Sequence, residues 1–301
     1  PVLYSYGDIG QHPLSGGQCR FGHTLDQFSE LMAQCGTLIA QMPEDTALGV
    51  APHSLRAIAP DDLARLLAQT PTGPVHMHIA EGGEGVADVT AARGGRPVEW
   101  LLDAADVDPR WCLIHATHMT PEETRGLARS GAVVGLCPVT EANLGDGIFE
   151  AQTYLEAKGR FGIGTDSNSN ISVADELRML EYAQRLHHQQ RNVLAPPDGS
   201  TGHSLYTAAA LGAAQALGRE TGALALGNWA DMLALDSTTP DLCALQEDQL
   251  LDGFIFAGGS AAITDVWSAG RHQVRGGAHI AQSAILAQYR KTIESLMARL
   301  S

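Results

Sequence analysis

Val75-His76-Met77-His78-Ile79-Ala80-Glu81 is the stretch on which the reading of the fold turns. Thr72-Gly73-Pro74 supplies a turn before it, and Val75, Met77 and Ile79 then alternate with polar neighbours at the period of a short strand. His76, His78 and Ala80 share one face of that strand. The run leaves through Ala80-Glu81-Gly82-Gly83, which predicts a flexible exit loop. An imidazole at a strand's end, with a carboxylate three residues later, can surround one point with a neutral nitrogen ligand and a proton shuttle. Hydrolytic metal chemistry needs that pair of groups. Taken alone, the motif reads more simply as two half-buried strand histidines, and the pattern on either side of it reverses that preference.

Downstream, a helix is expected near 94–105. The apolar run 111–114 then ends in His115-Ala116-Thr117-His118, with a helix from about Pro121. The run 132–137 ends in Pro138-Val139-Thr140-Glu141-Ala142-Asn143. The run 160–164 ends in Thr165-Asp166-Ser167-Asn168, before a long helix carrying Leu177, Leu180 and Leu186. Upstream, 1–6 reads as a strand and 7–22 as a loop. A helix follows over 24–41 with Thr24 as its N-cap. The strand 47–51 ends in Pro52-His53-Ser54-Leu55-Arg56, ahead of a helix over 60–67. Six strand–loop–helix units in series predict parallel strands and α/β architecture. The chemically capable side chains follow the strands, where a (β/α)8 barrel builds its active site. A doubly wound open sheet would also take six strands, but it does not explain why five successive exits carry His, Arg, Glu or Asp.

Composition narrows the partners. Lys+Arg 19 against Asp+Glu 34 gives a net charge of −15 over 301 residues. So acidic a chain neutralises few phosphates, which argues against nucleic acid or an acidic membrane surface. No apolar run is long enough to span a bilayer. Cys19, Cys35, Cys112, Cys137 and Cys243 are odd in number and have no CxxC spacing, as expected of reduced thiols in the cytoplasm. After an Ala-rich helix over 204–217 the composition changes. Residues 263–277 alternate like a hairpin turning at Ala269-Gly270, and 281–300 reads as an amphipathic helix. The expected division is a barrel over 1–220, then a small β unit with the closing helix over 221–301.

Five segments carry a resemblance over essentially the whole chain. They are His-Ser-Leu-Arg-Ala at 53–57, His-Ile-Ala-Glu at 78–81, His-Ala-Thr-His at 115–118, Thr-Glu-Ala-Asn-Leu-Gly-Asp-Gly at 140–147 and Leu-Glu-Tyr-Ala-Gln-Arg-Leu at 180–186. Together they resemble the amidohydrolase superfamily in its deaminase branch, with His-x-x-Glu after strand 5, His after strand 6 and Asp after strand 8. Within the branch they are similar to members that act on N-formimino-L-glutamate in histidine breakdown. The resemblance implies a metal-dependent (β/α)8 barrel with a small β-sandwich. The implied reaction hydrolyses the C=N bond of formimino-glutamate to N-formyl-L-glutamate and ammonia, and a homodimer is the expected assembly.

By position, the resemblance makes His78 and Asp166 ligands of one Zn²⁺, an ion that lowers the pKa of water toward ~7. Asp166 would also take the proton of the attacking water, and Glu81 would protonate the amidine nitrogen. His115 would hold the attacking oxygen by hydrogen bond. Arg56 suits a bidentate hold on a substrate carboxylate, with His53 beside it. Plainer readings stand beside these: Asp166 as a turn or cap aspartate, His115 as a packed strand-end residue, Arg56 as a surface ion pair. Glu141 and Asn143 either line the pocket or shape its loop, and His118 reads as structural. A sister activity on a purine or adenosyl compound is the near alternative, against which Arg56 argues, because a neutral base offers a guanidinium nothing to clamp. A non-catalytic barrel retained for binding is the alternative from another class.

The family pattern also ends its first barrel strand in His-x-His. No such pair precedes His76 here, and His12 and His23 stand alone in loop sequence. Matching strands in order sets residues 1–6 against strand 3. The expectation is therefore a C-terminal portion without strands 1 and 2, inactive by itself.

Overall fold

The computed structural model describes residues 1–300. In chain order the elements are β1 (Val2–Leu3), α1 (Leu25–Ile39), β2 (Ala51–Pro52), α2 (Pro60–Gln69), β3 (Val75–Ile79), α3 (Gly83–Arg93) and α4 (Pro97–Ala104). There follow β4 (Trp111–His115), α5 (Pro121–Ser130), β5 (Val133–Leu136), α6 (Pro138–Leu144), α7 (Ala151–Glu156), β6 (Arg160–Ile163), α8 (Val173–His188) and α9 (Thr201–Leu217). The chain ends with β7 (Met232–Leu235), α10 (Gln249–Gly253), β8 (Ile263–Ser268), β9 (Arg271–Arg275), β10 (Ala278–His279) and α11 (Gln282–Leu300).

β1 pairs in parallel with β2, and β3, β4, β5 and β6 pair in parallel in that order. Isolated parallel bridges Val50↔Val75 and Ser54↔His78 join the two groups. The strand order thus follows the sequence without the reversal that marks a doubly wound sheet. It is the winding of a (β/α) barrel.

Alternation decides the two faces. Val75, Met77, Ile79, Leu113 and Val134 are buried under the helices, in one core with Leu101, Leu127 and Tyr154. The opposite face carries His76 and His78, in register with Cys112 and Ile114. α9 lies against this second face at the strands' N-terminal end, where Ala216 packs with Cys112 and Val133. A Cβ at Gly212 would come within 1.8 Å of the Phe161 carbonyl oxygen, so only glycine permits this approach. His76 Nε2 donates to the Ala216 carbonyl at 2.7 Å, and Gln215 donates to the carbonyls of Pro109 and Gly131. α9 thus covers that end of the sheet, and the inward-facing His76 is paired there.

The antiparallel sheet has the order β10-β9-β8-β7. Its β8–β9 hairpin turns at Ala269 and Gly270, both at positive φ, as the sequence predicted. Asp45 ties the sheet to the barrel, accepting from Arg271 at 3.0 and 2.6 Å and from Arg219 at 3.3 Å. α11 forms where an amphipathic helix was expected, with none of its residues buried. No helix among the described residues is long and apolar enough to cross a membrane.

Several local expectations are corrected. The exit after Ile79 is shorter than expected: Ala80, Glu81 and Gly82 lie outside regular structure, but Gly83 already opens α3, a helix that the glycines at 83 and 85 conceal and the buried Val86 and Val89 secure. The helix expected over 94–105 starts only at Pro97, because Gly94 takes φ +76° as the C-cap of α3. The strands expected over 1–6 and 47–51 shrink to β1 and β2, and Pro52 has no N–H to extend its ladder. The strand exit read over 138–143 as loop sequence lies in α6, with Pro138 at the first helical position.

Candidate active site

Three strand exits converge on one point. His78 is the next-to-last residue of β3 and Glu81 lies two residues beyond its end; His115 ends β4, and Asp166 follows β6 by three. One ligand atom each from His78, His115 and Asp166 lies within 4.8 Å of the others. The rings of His78 and His115 stack with centroids 5.6 Å apart, and Glu81 Oε1 is 3.5 Å from His115 Nε2. The backbone at these exits is strained. Ala80, His115, Ala116 and Asp166 take φ of +49°, +70°, +52° and +47°. Such non-glycine conformations cost about 1–3 kcal/mol each and persist only where surrounding contacts impose them.

The hydrogen bonds fix which nitrogens face this point. His78 Nδ1 donates to the His53 carbonyl at 2.8 Å, which leaves Nε2 as its lone pair. His115 Nδ1 is 3.1 Å from Glu141 Oε1, and its Nε2 is buried with no hydrogen-bond partner among the described residues. Two imidazole nitrogens and a carboxylate so placed match the donors a borderline ion such as zinc takes. The residues fit a metal. Burial works to lower the His115 pKa, but the Glu141 hydrogen bond and the charges of Glu81, Glu141 and Asp166 outweigh it, and the net shift is upward.

A cleft of about 320 Å³ opens beside the point, with His53, Arg56, His78, Glu81 and Asp146 in its wall. Arg56 is not a surface ion pair: its Nη1 donates to the Gly7 carbonyl at 2.8 Å and to the Tyr4 hydroxyl at 3.3 Å. Its guanidinium carbon lies 5.9 Å from the Tyr4 ring centroid. Burial, then the neighbouring His78 and Arg56, push the His53 pKa down to about 4, so its imidazole is neutral near pH 7. A larger hollow of about 540 Å³, walled by Ser5, His23, Asp26 and Arg65, holds none of these groups.

The structure also brings in residues that the sequence left open or missed. Glu141, 5% exposed, lies beneath His115. Asp146 has a buried Oδ2 without a partner among the described residues, in the cleft wall. His118 Nε2 donates to the Asp146 carbonyl at 2.6 Å and so ties that loop down. Asn143 is exposed on α6. The segment 140–147 was conspicuous in the sequence, but nothing in its spacing shows which of its carboxylates turns inward.

Residues 14–272 match the sequence model of the amidohydrolase family. A formimidoylglutamate deiminase of Pseudomonas aeruginosa is 48% identical over 284 residues, covering 93% of this chain and 62% of the relative. The crystal structure of an amidohydrolase from Brucella melitensis superposes with a TM-score of 0.94 at 46% identity, over 99% of this chain and 65% of that one. An adenosine deaminase from Xanthomonas campestris, crystallised with bound zinc, gives 0.76 at 28% identity over 89% of this chain and 62% of that one. The chain thus spans a little under two thirds of each of these proteins.

Proposed function

This chain belongs to the amidohydrolase family, and on that premise we propose that it carries the catalytic centre of a zinc-dependent deiminase hydrolysing N-formimino-L-glutamate to N-formyl-L-glutamate and ammonia. The observation that carries the reading is the convergence of His78, His115 and Asp166 within 4.8 Å of one another beside Glu81. The 48% identity to a formimidoylglutamate deiminase supports the choice of substrate.

His78 through Nε2 and Asp166 through its carboxylate would hold the zinc, with His115 Nε2 in reach. Bound there, the ion supplies Lewis acidity that activates water near neutral pH. Asp166 takes a proton from the attacking water as its oxygen adds to the amidine carbon. His115 orients that water by hydrogen bond. Glu81 passes one proton to the terminal nitrogen and takes one back from the new hydroxyl, and Asp166 returns the proton it took to that nitrogen. The bond from carbon to nitrogen breaks, and ammonia leaves while the carbon keeps the new oxygen as a formyl group. Arg56, steadied by Gly7 and Tyr4, clamps a substrate carboxylate, and the neutral His53 stands between it and His78.

The zinc-bound adenosine deaminase neighbour supports a second reading, deamination of a purine or adenosyl compound. Ammonia release by the zinc-loaded full-length protein separates the two. Release from formimino-glutamate and none from adenosine or its thioether derivatives is expected, and the opposite pattern overturns the proposal.

A further inference from the structure

Glu141 occupies the first turn of α6, and its carboxylate points back under the strand exits. Oε1 takes the Cys137 N–H at 3.3 Å and lies 3.1 Å from His115 Nδ1. Its neighbours on the same turn hold the other side of the site. The Thr140 hydroxyl donates to the carbonyl of Thr165, the residue before Asp166, at 2.6 Å. The Val139 N–H donates to the buried Glu176 at 2.8 Å, and the Asn168 amide donates to both Thr140 and Glu176. One helical turn therefore grips the exit of β4 through His115 and the exit of β6 through Thr165. That grip accounts for a histidine held at φ +70°.

An ionised carboxylate only accepts hydrogen bonds. Facing Glu141, a neutral His115 keeps its proton on Nδ1 and its lone pair on Nε2. That nitrogen is the buried atom without a partner among the described residues, 3.5 Å from Glu81. We propose that Glu141 is a positioning residue, which holds His115 as the Nδ1–H tautomer and aims the Nε2 lone pair at the point shared with His78 and Asp166. Its catalytic consequence rests on the deiminase reading above, but the tautomer does not.

The test is nitrogen NMR on metal-free protein labelled with ¹⁵N-histidine, the His115 signals being identified by their loss in His115→Gln. In the pH range where His115 carries a single ring proton, the wild-type protein is expected to show that proton on Nδ1 and a bare Nε2. Glu141→Gln keeps the size of the side chain and an oxygen for the Cys137 N–H, but its amide can also donate, so the Nε2–H form is expected to appear. A singly protonated wild-type His115 with its proton on Nε2, or a Glu141→Gln spectrum identical to the wild type in that range, overturns the proposal. With zinc and substrate, Glu141→Gln is expected to lower kcat by about 10–100-fold, the cost typical of losing a partner that orients an active-site histidine. KM should move little. A wrong substrate assignment leaves the tautomer result standing, and a wrong tautomer leaves the hydrolase reading standing.

Discussion

His76 and His78 are two residues apart on one strand and on the same face, yet the molecule uses them in opposite ways. His76 sits toward the closed end, where α9 covers the sheet and the Ala216 carbonyl takes its Nε2 proton at 2.7 Å. His78 sits toward the open end, where the His53 carbonyl takes Nδ1 and leaves Nε2 free beside His115 and Asp166. At the closed end the inward-facing His76 is paired, and positive φ falls on turn residues ahead of the strands, Gly73, Gly131 and Lys158. The open end concentrates left-handed non-glycine residues, a buried imidazole nitrogen without a partner and a cleft. On the proposed reading one strand serves stability at one end and chemistry at the other, and the difference lies in what the neighbours of His76 and His78 leave unpaired.

The comparison breaks most visibly at Glu81. Glu81→Gln in the zinc-loaded full-length protein should lower kcat by about 10²–10⁴-fold, because the shuttle's proton is lost, while zinc content stays unchanged. Zinc lost along with the activity would place Glu81 among the ligands instead. The two histidines can then be set directly against each other. His78→Ala should weaken zinc binding by more than the ~10–100-fold that losing an outer partner costs, while His76→Ala keeps zinc and lowers only the urea midpoint. Equal zinc loss in both variants would erase the distinction between the two ends.

Arg56→Met should raise KM for formimino-glutamate by about 10–100-fold, matching the roughly 1.5–3 kcal/mol of a hydrogen bond to a charged group. A formimino compound lacking the matching carboxylate should be hardly affected, and equal losses on both would remove Arg56 from substrate binding. The smallest effect belongs to the closed end. Gly212→Ala forces α9 away from the Phe161 carbonyl, at about 1–3 kcal/mol of stability as for other overpacked sites. Chemical denaturation would show it, and an unchanged unfolding midpoint would mean that α9 does not press on β6.

The strands and their exits were legible because the signals are local. Alternation in 75–79, the apolar runs at 111–114, 132–137 and 160–164, and His, Glu or Asp just after them required no knowledge of distant residues. α3 and α6 were not legible, since Gly83, Gly85 and Pro138 read as loop by propensity, and only the packing of Val86, Val89 and Thr140 makes helix the better state. Glu141 stayed ambiguous for a related reason: its partner His115 lies 26 residues away.

The sequence by itself determined the α/β winding, the end of the sheet where chemistry collects, and the residue types that collect there. Tertiary structure alone decided which nitrogen of each histidine is free, that Arg56 is anchored by the loop at Gly7, and that α9 closes the far end. The physical reason is that each of these rests on a hydrogen bond to a group 25, 49 or 140 residues away. Such partners leave no period in the chain, and they exist only once the strands are side by side.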